Sequence, residues 1–147
     1  MMLFVGLDVS LEKTAICVVS EHGKIEREAQ VASEPEALTR WMGDLDGTIA
    51  AIGLEAGPLS QWLHRGLTEA GLDVVLMETR QVKGALKAMP IKTDRRDAEG
   101  IARLLHLGWF RPVHCKSVSA QEVRAVLNAR KAVQQGFIAL EVSLRGL

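Results

Sequence analysis

The run LFVGLD from Leu3 to Asp8 is apolar on both faces up to its closing aspartate. A strand of that kind belongs in the middle of a sheet, with neighbours on either side and further structure over both faces. The remainder of the chain has to provide those neighbours and those covers.

Two more strand patterns follow directly. KTAICVVS and KIEREAQVAS are joined through SEHGK, a glycine-bearing turn, and with the first run they form an antiparallel meander. The third strand alternates Ile25, Arg27, Ala29 and Val31 against Glu26, Glu28 and Gln30, as an edge strand with one wet face does. SEPEALTRWMGDL predicts a helix with Ser33 as N-cap, Pro35 in the first turn, and Leu38, Trp41, Met42 and Leu45 along its apolar stripe. IAAIGLEA is a fourth strand, Gly57 and Pro58 end it and open a helix to about Ala70, and LDVVLME is a fifth strand. The order strand, helix, strand, helix, strand implies parallel pairing through right-handed crossovers. The expected fold class is α/β, a mixed five-stranded sheet flanked by helices.

Thr79 to Met89 continues as a helix. DAEGIARLLHLG is another, with Ala98, Ile101, Ala102 and Leu105 on one face and Gly108 as its stop. Beyond the loop GWFRPVHCKS, a last helix starts near Ser119, which forms a capping box with Glu122. Its Val123, Val126, Arg130, Val133, Phe137, Leu140, Leu144 and Leu147 alternate spacings of 3 and 4, the seam of a coiled coil with Arg130 as the one polar member. A long helix lying on the domain shows the same pattern, so both readings stand. The seam runs uncapped to the final residue, and a longer native chain is expected. The expected division is a catalytic domain over 1–115 and a dimerisation helix over 116–147.

With 48% hydrophobic and 24% charged residues in 147, the chain has material for a packed core, which excludes disorder. Its formal net charge is zero, so any nucleic-acid partner has to be read from local charge. Cys17 lies in an apolar strand, Cys115 is isolated and there is no CxxC pair, which fits a reduced, cytoplasmic protein. His22, His64, His106 and His114 have neither i, i+4 spacing nor cysteine partners, which argues against zinc. An aspartate arrives too early for a signal peptide, and no apolar run approaches the ~18 residues of a membrane span.

Against this background the segment IKTDRRDAEG stands out. Asp94 and Asp97 are one helical turn apart with Arg95 and Arg96 between them. Asp8 ends the first strand and Glu55 the fourth, its expected parallel neighbour, so their carboxylates meet at the C-terminal edge of the sheet, where open α/β sheets place their sites. Asp94 and Asp97, on one helix face, can reach the same point from the side. Four carboxylates in one place need a cation between them, and oxygen-only, highly charged ligands select Mg²⁺ or Mn²⁺. Two such ions about 4 Å apart serve phosphodiester chemistry. Blander readings exist for each residue: Asp94 complementing a helix N-terminus, Asp8 capping a turn with Ser10, Glu55 exposed before the Gly-Pro break.

From Arg80 to Asp97 six cations, Arg80, Lys83, Lys87, Lys92, Arg95 and Arg96, stand against two acids. Residues 80, 83 and 87 share a helix face, as phosphate contacts would, although a solvated face has the same look.

FVGLDVSLEKTAICVV, GLEAGPLSQWLHRGLTEAGLDVVLM, QVKG and above all KTDRRDAEGIARLL resemble the N-terminal RuvC-like domain of the DEDD transposases of bacterial insertion sequences, which include the Piv-type invertases. The match runs in order over roughly residues 3 to 115. It implies a ribonuclease H-like fold, a metal-binding catalytic tetrad at Asp8, Glu55, Asp94 and Asp97, Mg²⁺ or Mn²⁺ dependence, and DNA recombination. In insertion-sequence members it also implies a structured bridging RNA, and a coiled coil leading to a C-terminal domain with a nucleophilic serine, which these residues do not include. The reading is a transposase catalytic domain acting on DNA, dimeric through its last helix, with Lys92, Arg95 and Arg96 as further phosphate contacts. Its rivals are a Holliday-junction resolvase-like nuclease and a non-catalytic dimeric nucleic-acid-binding module. A sugar or acetate kinase shares the GLDVS opening but needs a later Gly-rich phosphate loop that is missing here.

Overall fold

The computed structural model describes residues 1–88, 97–113 and 118–146. The apolar first strand, β1 (Met2–Val9), lies at the centre of a five-stranded sheet ordered β3-β2-β1-β4-β5. β1 pairs antiparallel with β2 (Lys13–Ser20) and parallel with β4 (Thr48–Glu55); β3 (Ile25–Ala32) adds antiparallel at one edge and β5 (Val74–Met77) parallel at the other.

Alternation along β1 explains the layers. Leu3, Val5 and Leu7 face one side, where they are buried with Leu38 and Met42 of α1 (Pro35–Gly43) and Leu63 and Leu67 of α2 (Ser60–Glu69). Phe4 and Gly6 face the other side, beneath α3 (Thr79–Ala88) and α4 (Asp97–Leu107), whose Val82, Ile101, Leu104 and Leu105 form a second core with Met77. The outcome is the expected mixed α/β sheet between two pairs of helices. Gly108, at φ +74°, ends α4 in the left-handed conformation that a stop there requires.

Two local expectations differ from the structure. Ser33 does not cap α1; the cap position is Glu34, without a side-chain bond, and Pro35 takes the first helical position, where its missing N–H is no loss. The Ser33 hydroxyl is spent elsewhere. It donates to the Ser10 carbonyl at 2.6 Å and shares a 2.8 Å bond with Thr14, and both serine and threonine are buried. Residues 111–113, read as loop, line the free edge of β5: the Val113 amide donates to Leu76 at 2.8 Å, the Glu78 amide to Arg111 at 3.1 Å, and Met77 bridges Pro112. An edge strand needs such cover, and a three-residue segment with a proline carries no alternation to announce it.

The chain divides into two compact units, Met1–Cys115 and Lys116–Leu147. The second is the single helix α5 (Val118–Arg145), of 28 residues. Val126, Val133, Phe137, Leu140 and Leu144 of the seam are all exposed along it. The side chains of Ser119, Glu122 and Val123, and Leu147 itself, lie outside the described residues. Among the described residues no helix is long and apolar enough to cross a membrane.

Candidate carboxylate site

Register brings the first two carboxylates together. Leu7 is paired with Leu54 in the parallel β1–β4 ladder, so Asp8 and Glu55, one step further on, end adjacent strands at the same level. Both point away from the face of Leu7 and Leu54 and toward the face that α4 covers. α4 begins with Asp97, and its first turn lies over β1: the Ala98 carbonyl and the Ala102 amide fill the space where a Cβ on Gly6 would stand. Asp97 therefore approaches Asp8 from the helix side.

The electrostatics record this meeting. Asp8 is half-buried, and burial first, then the charges of Asp97 and Glu55, hold its carboxyl above the usual carboxylate range. Asp8 does not close the turn that follows it, because Ser10 does so with its own amide and hydroxyl, both donating to the Lys13 carbonyl. Glu55 is part-buried rather than a free surface residue. Among the described residues, no three His, Cys, Asp or Glu groups converge tightly enough to hold an ion between them. Asp8, Glu55 and Asp97 are thus neighbours at the range of mutual repulsion. Asp94 lies outside the described residues, as do Lys92, Arg95 and Arg96. In donor type the set fits a hard divalent cation, since every ligand is an anionic oxygen.

Asp8 and Ser10 border two depressions. One, of about 270 Å³, continues along Val9, Leu11, Glu55, Pro58 and Leu59. The other, of about 590 Å³, runs over Lys13, Ala15, Glu28, Gln30 and Ala98. The second holds residues that the sequence reading passed over. Ala15 is paired with Asp8 and with Gln30, which puts Lys13, Ala15, Glu28 and Gln30 on the face of Asp8. Counting alternate residues back from that pair would have found Lys13. In the sequence Glu28 and Gln30 show only as the wet side of an edge strand.

Arg80, Lys83 and Lys87 are exposed on α3, while Val82, Ala85 and Leu86 of the same helix pack inward with α4. The Thr79 hydroxyl donates to the Ala56 carbonyl at 3.0 Å, which ties the start of α3 to the residue after Glu55.

The transposase family DEDD_Tnp_IS110 matches residues 5–147. The transposase for insertion sequence element IS1111A of Coxiella burnetii (strain RSA 493 / Nine Mile phase I) is 28% identical over 148 residues, covering 97% of this chain. The chain spans 37% of that relative's length. Among solved structures, Thermus thermophilus RuvC in complex with Holliday junction substrate superimposes with a TM-score of 0.54 at 16% identity, over 77% of this chain and 100% of the other. The Thermus thermophilus RuvC structure gives 0.53 at 17% identity, over 76% and 100%. The sheet order and helix layers are therefore those of a RuvC-like fold.

Proposed function

Because this chain belongs to the DEDD transposase family, we propose that it is the metal-dependent catalytic portion of a DNA transposase, acting on phosphodiester bonds in transposition and recombination. The observation that carries the reading is the neighbourhood of Asp8, Glu55 and Asp97 at the end of the central strand, where burial and then the charges of Asp97 and Glu55 raise the proton affinity of Asp8. Asp94 is assigned as the fourth member on the resemblance of KTDRRDA to the family motif.

Asp8, Glu55, Asp94 and Asp97 would hold Mg²⁺ or Mn²⁺, and such an ion supplies activation of an attacking hydroxyl and stabilisation of the leaving oxygen. The rest falls to the chain itself. β1 and β4 fix two carboxylates on a rigid sheet edge, and α4 carries the third. Arg80, Lys83 and Lys87, with Lys92, Arg95 and Arg96, contact DNA phosphates and offset the acidic centre for a polyanion. Lys13, in the groove that opens on Asp8, joins them. The exposed seam of α5 pairs with a second copy, giving a homodimer, and a structured RNA is a partner in the full-length protein. Complete strand exchange needs the serine-bearing domain that the family resemblance implies.

The test is Mg²⁺-dependent nicking of branched DNA and of insertion-end DNA by this chain. Asp8→Asn, Glu55→Gln and Asp97→Asn are each expected to lower it about 100-fold or more. Cleavage that persists in chelator or in the three variants contradicts the reading. Tight DNA binding with no cleavage by the wild type would leave the non-catalytic module instead.

A further inference from the structure

β1 and α4 meet backbone to backbone. A Cβ on Gly6 would fall on the carbonyl oxygen of Ala98 and the amide nitrogen of Ala102, neither of which is the end of a side chain that can swing aside. Gly53 of β4, beneath α4, and Gly100 within α4 are also closely approached, but they meet the side-chain ends of Leu105 and Met77, and of Leu86. Ala98 and Ala102 are buried against Cys17 and Val19 of β2, so the same turn of the helix is held on the neighbouring strand as well.

Gly6 is two residues before Asp8 on the same face of β1, and Ala98 directly follows Asp97. One contact therefore governs how far apart the two carboxylates stand. The other end of α4 is fastened separately. Arg103 donates from Nε to Glu99 at 2.9 Å and from Nη1 to the Gly23 carbonyl at 3.0 Å, and His106 Nε2 bonds the Glu21 carbonyl at 2.8 Å. Phe4 of β1 meets the His106 ring edge-on at 5.3 Å. α4 is thus pinned to the β2–β3 turn at its far end and rests on bare strand backbone near its start.

We propose that Gly6 is a positioning residue for the carboxylate site, with Arg103 as its second anchor: the missing side chain at position 6 lets α4 bring Asp97 against Asp8, and the turn latch keeps it there. The proposal rests on the metal reading of the carboxylates given above. A methyl group at position 6 lifts the first turn of α4 from β1 and carries Asp97 away, leaving Asp8 and Glu55 where the sheet holds them.

Mn²⁺ binding to the intact chain, followed by the electron paramagnetic resonance of free Mn²⁺, tests it without reference to activity. Gly6→Ala is expected to weaken binding about tenfold or more, and Arg103→Gln, six residues along α4 from Asp97, by a smaller factor. Ile52→Val, in the core on the opposite face of the sheet, is the control for simple loss of stability and should bind as the wild type does. Should Gly6→Ala fail to fold, Arg103→Gln decides. Wild-type affinity in the folded positioning variants, or equal loss in Ile52→Val, overturns this proposal alone. A wild type that binds no Mn²⁺ overturns the metal reading and takes this proposal with it.

Discussion

Asp8 is the residue on which most of the account turns, and its protonation has a definite sign. Burial and two like charges raise its pKa in the folded chain, so the fold favours the protonated form. That contribution is complete at low pH and is lost as pH rises from the ordinary 3.8 through the raised value, so that ionised Asp8 weakens the fold at neutral pH. Asp8→Asn is therefore expected to melt higher than the wild type in metal-free neutral buffer, with the gap closing as pH falls into the ordinary carboxylate range. Parallel melting curves at all pH values would contradict the crowding of these three groups. Ser33 gives a second prediction. Its replacement by Ala leaves the buried Thr14 hydroxyl and the Ser10 carbonyl without a partner and should cost about 1–3 kcal/mol in denaturant unfolding. Asp8 and Glu55 were legible in the sequence because each closes an apolar run. The work of Ser33 was not, since its partners lie 23 and 19 residues away and the local pattern S-x-P mimics a cap.

Elements were read more surely than residues where burial repeats with a fixed period. The two-faced apolarity of β1 required a central strand, and the stripe Ala98, Ile101, Ala102 and Leu105 required a helix packed on the sheet, as the structure has it. Ile101→Ala should accordingly destabilise by about 2–5 kcal/mol. What periodicity does not reveal is where an element lies against its neighbours. The bare backbone seat of α4 on Gly6, the cover of β5 by residues 111–113 and the groove over Lys13 and Gln30 all depend on pairings between distant segments. The basic face of α3 has a function-specific expectation. Replacing Arg80, Lys83 and Lys87 together by Gln should leave melting nearly unchanged, as all three are exposed, while the salt dependence of DNA binding falls by about 3 in log–log slope. An unchanged slope would remove this face from the nucleic-acid interface.

For the molecule as a whole, the two units have separate roles in the proposal: one holds the carboxylates, the other assembles copies. Under that proposal, pairing of the apolar seams would cover Val133 and Leu140, which are exposed. Changing both to Asp should reduce the mass in solution to that of a monomer, and a wild type already monomeric at high concentration would refute pairing through α5. The central claim, that the carboxylates form one divalent-ion site, is met most directly by thermal unfolding of the wild type and Asp97→Asn across a titration with Mg²⁺ and Mn²⁺. An ion bound only by the folded state stabilises it by about 2.7 kcal/mol at a hundredfold excess over its dissociation constant. A saturating rise is expected in the wild type, largely lost in Asp97→Asn. An equal rise in both proteins, or none in the wild type, would contradict the claim.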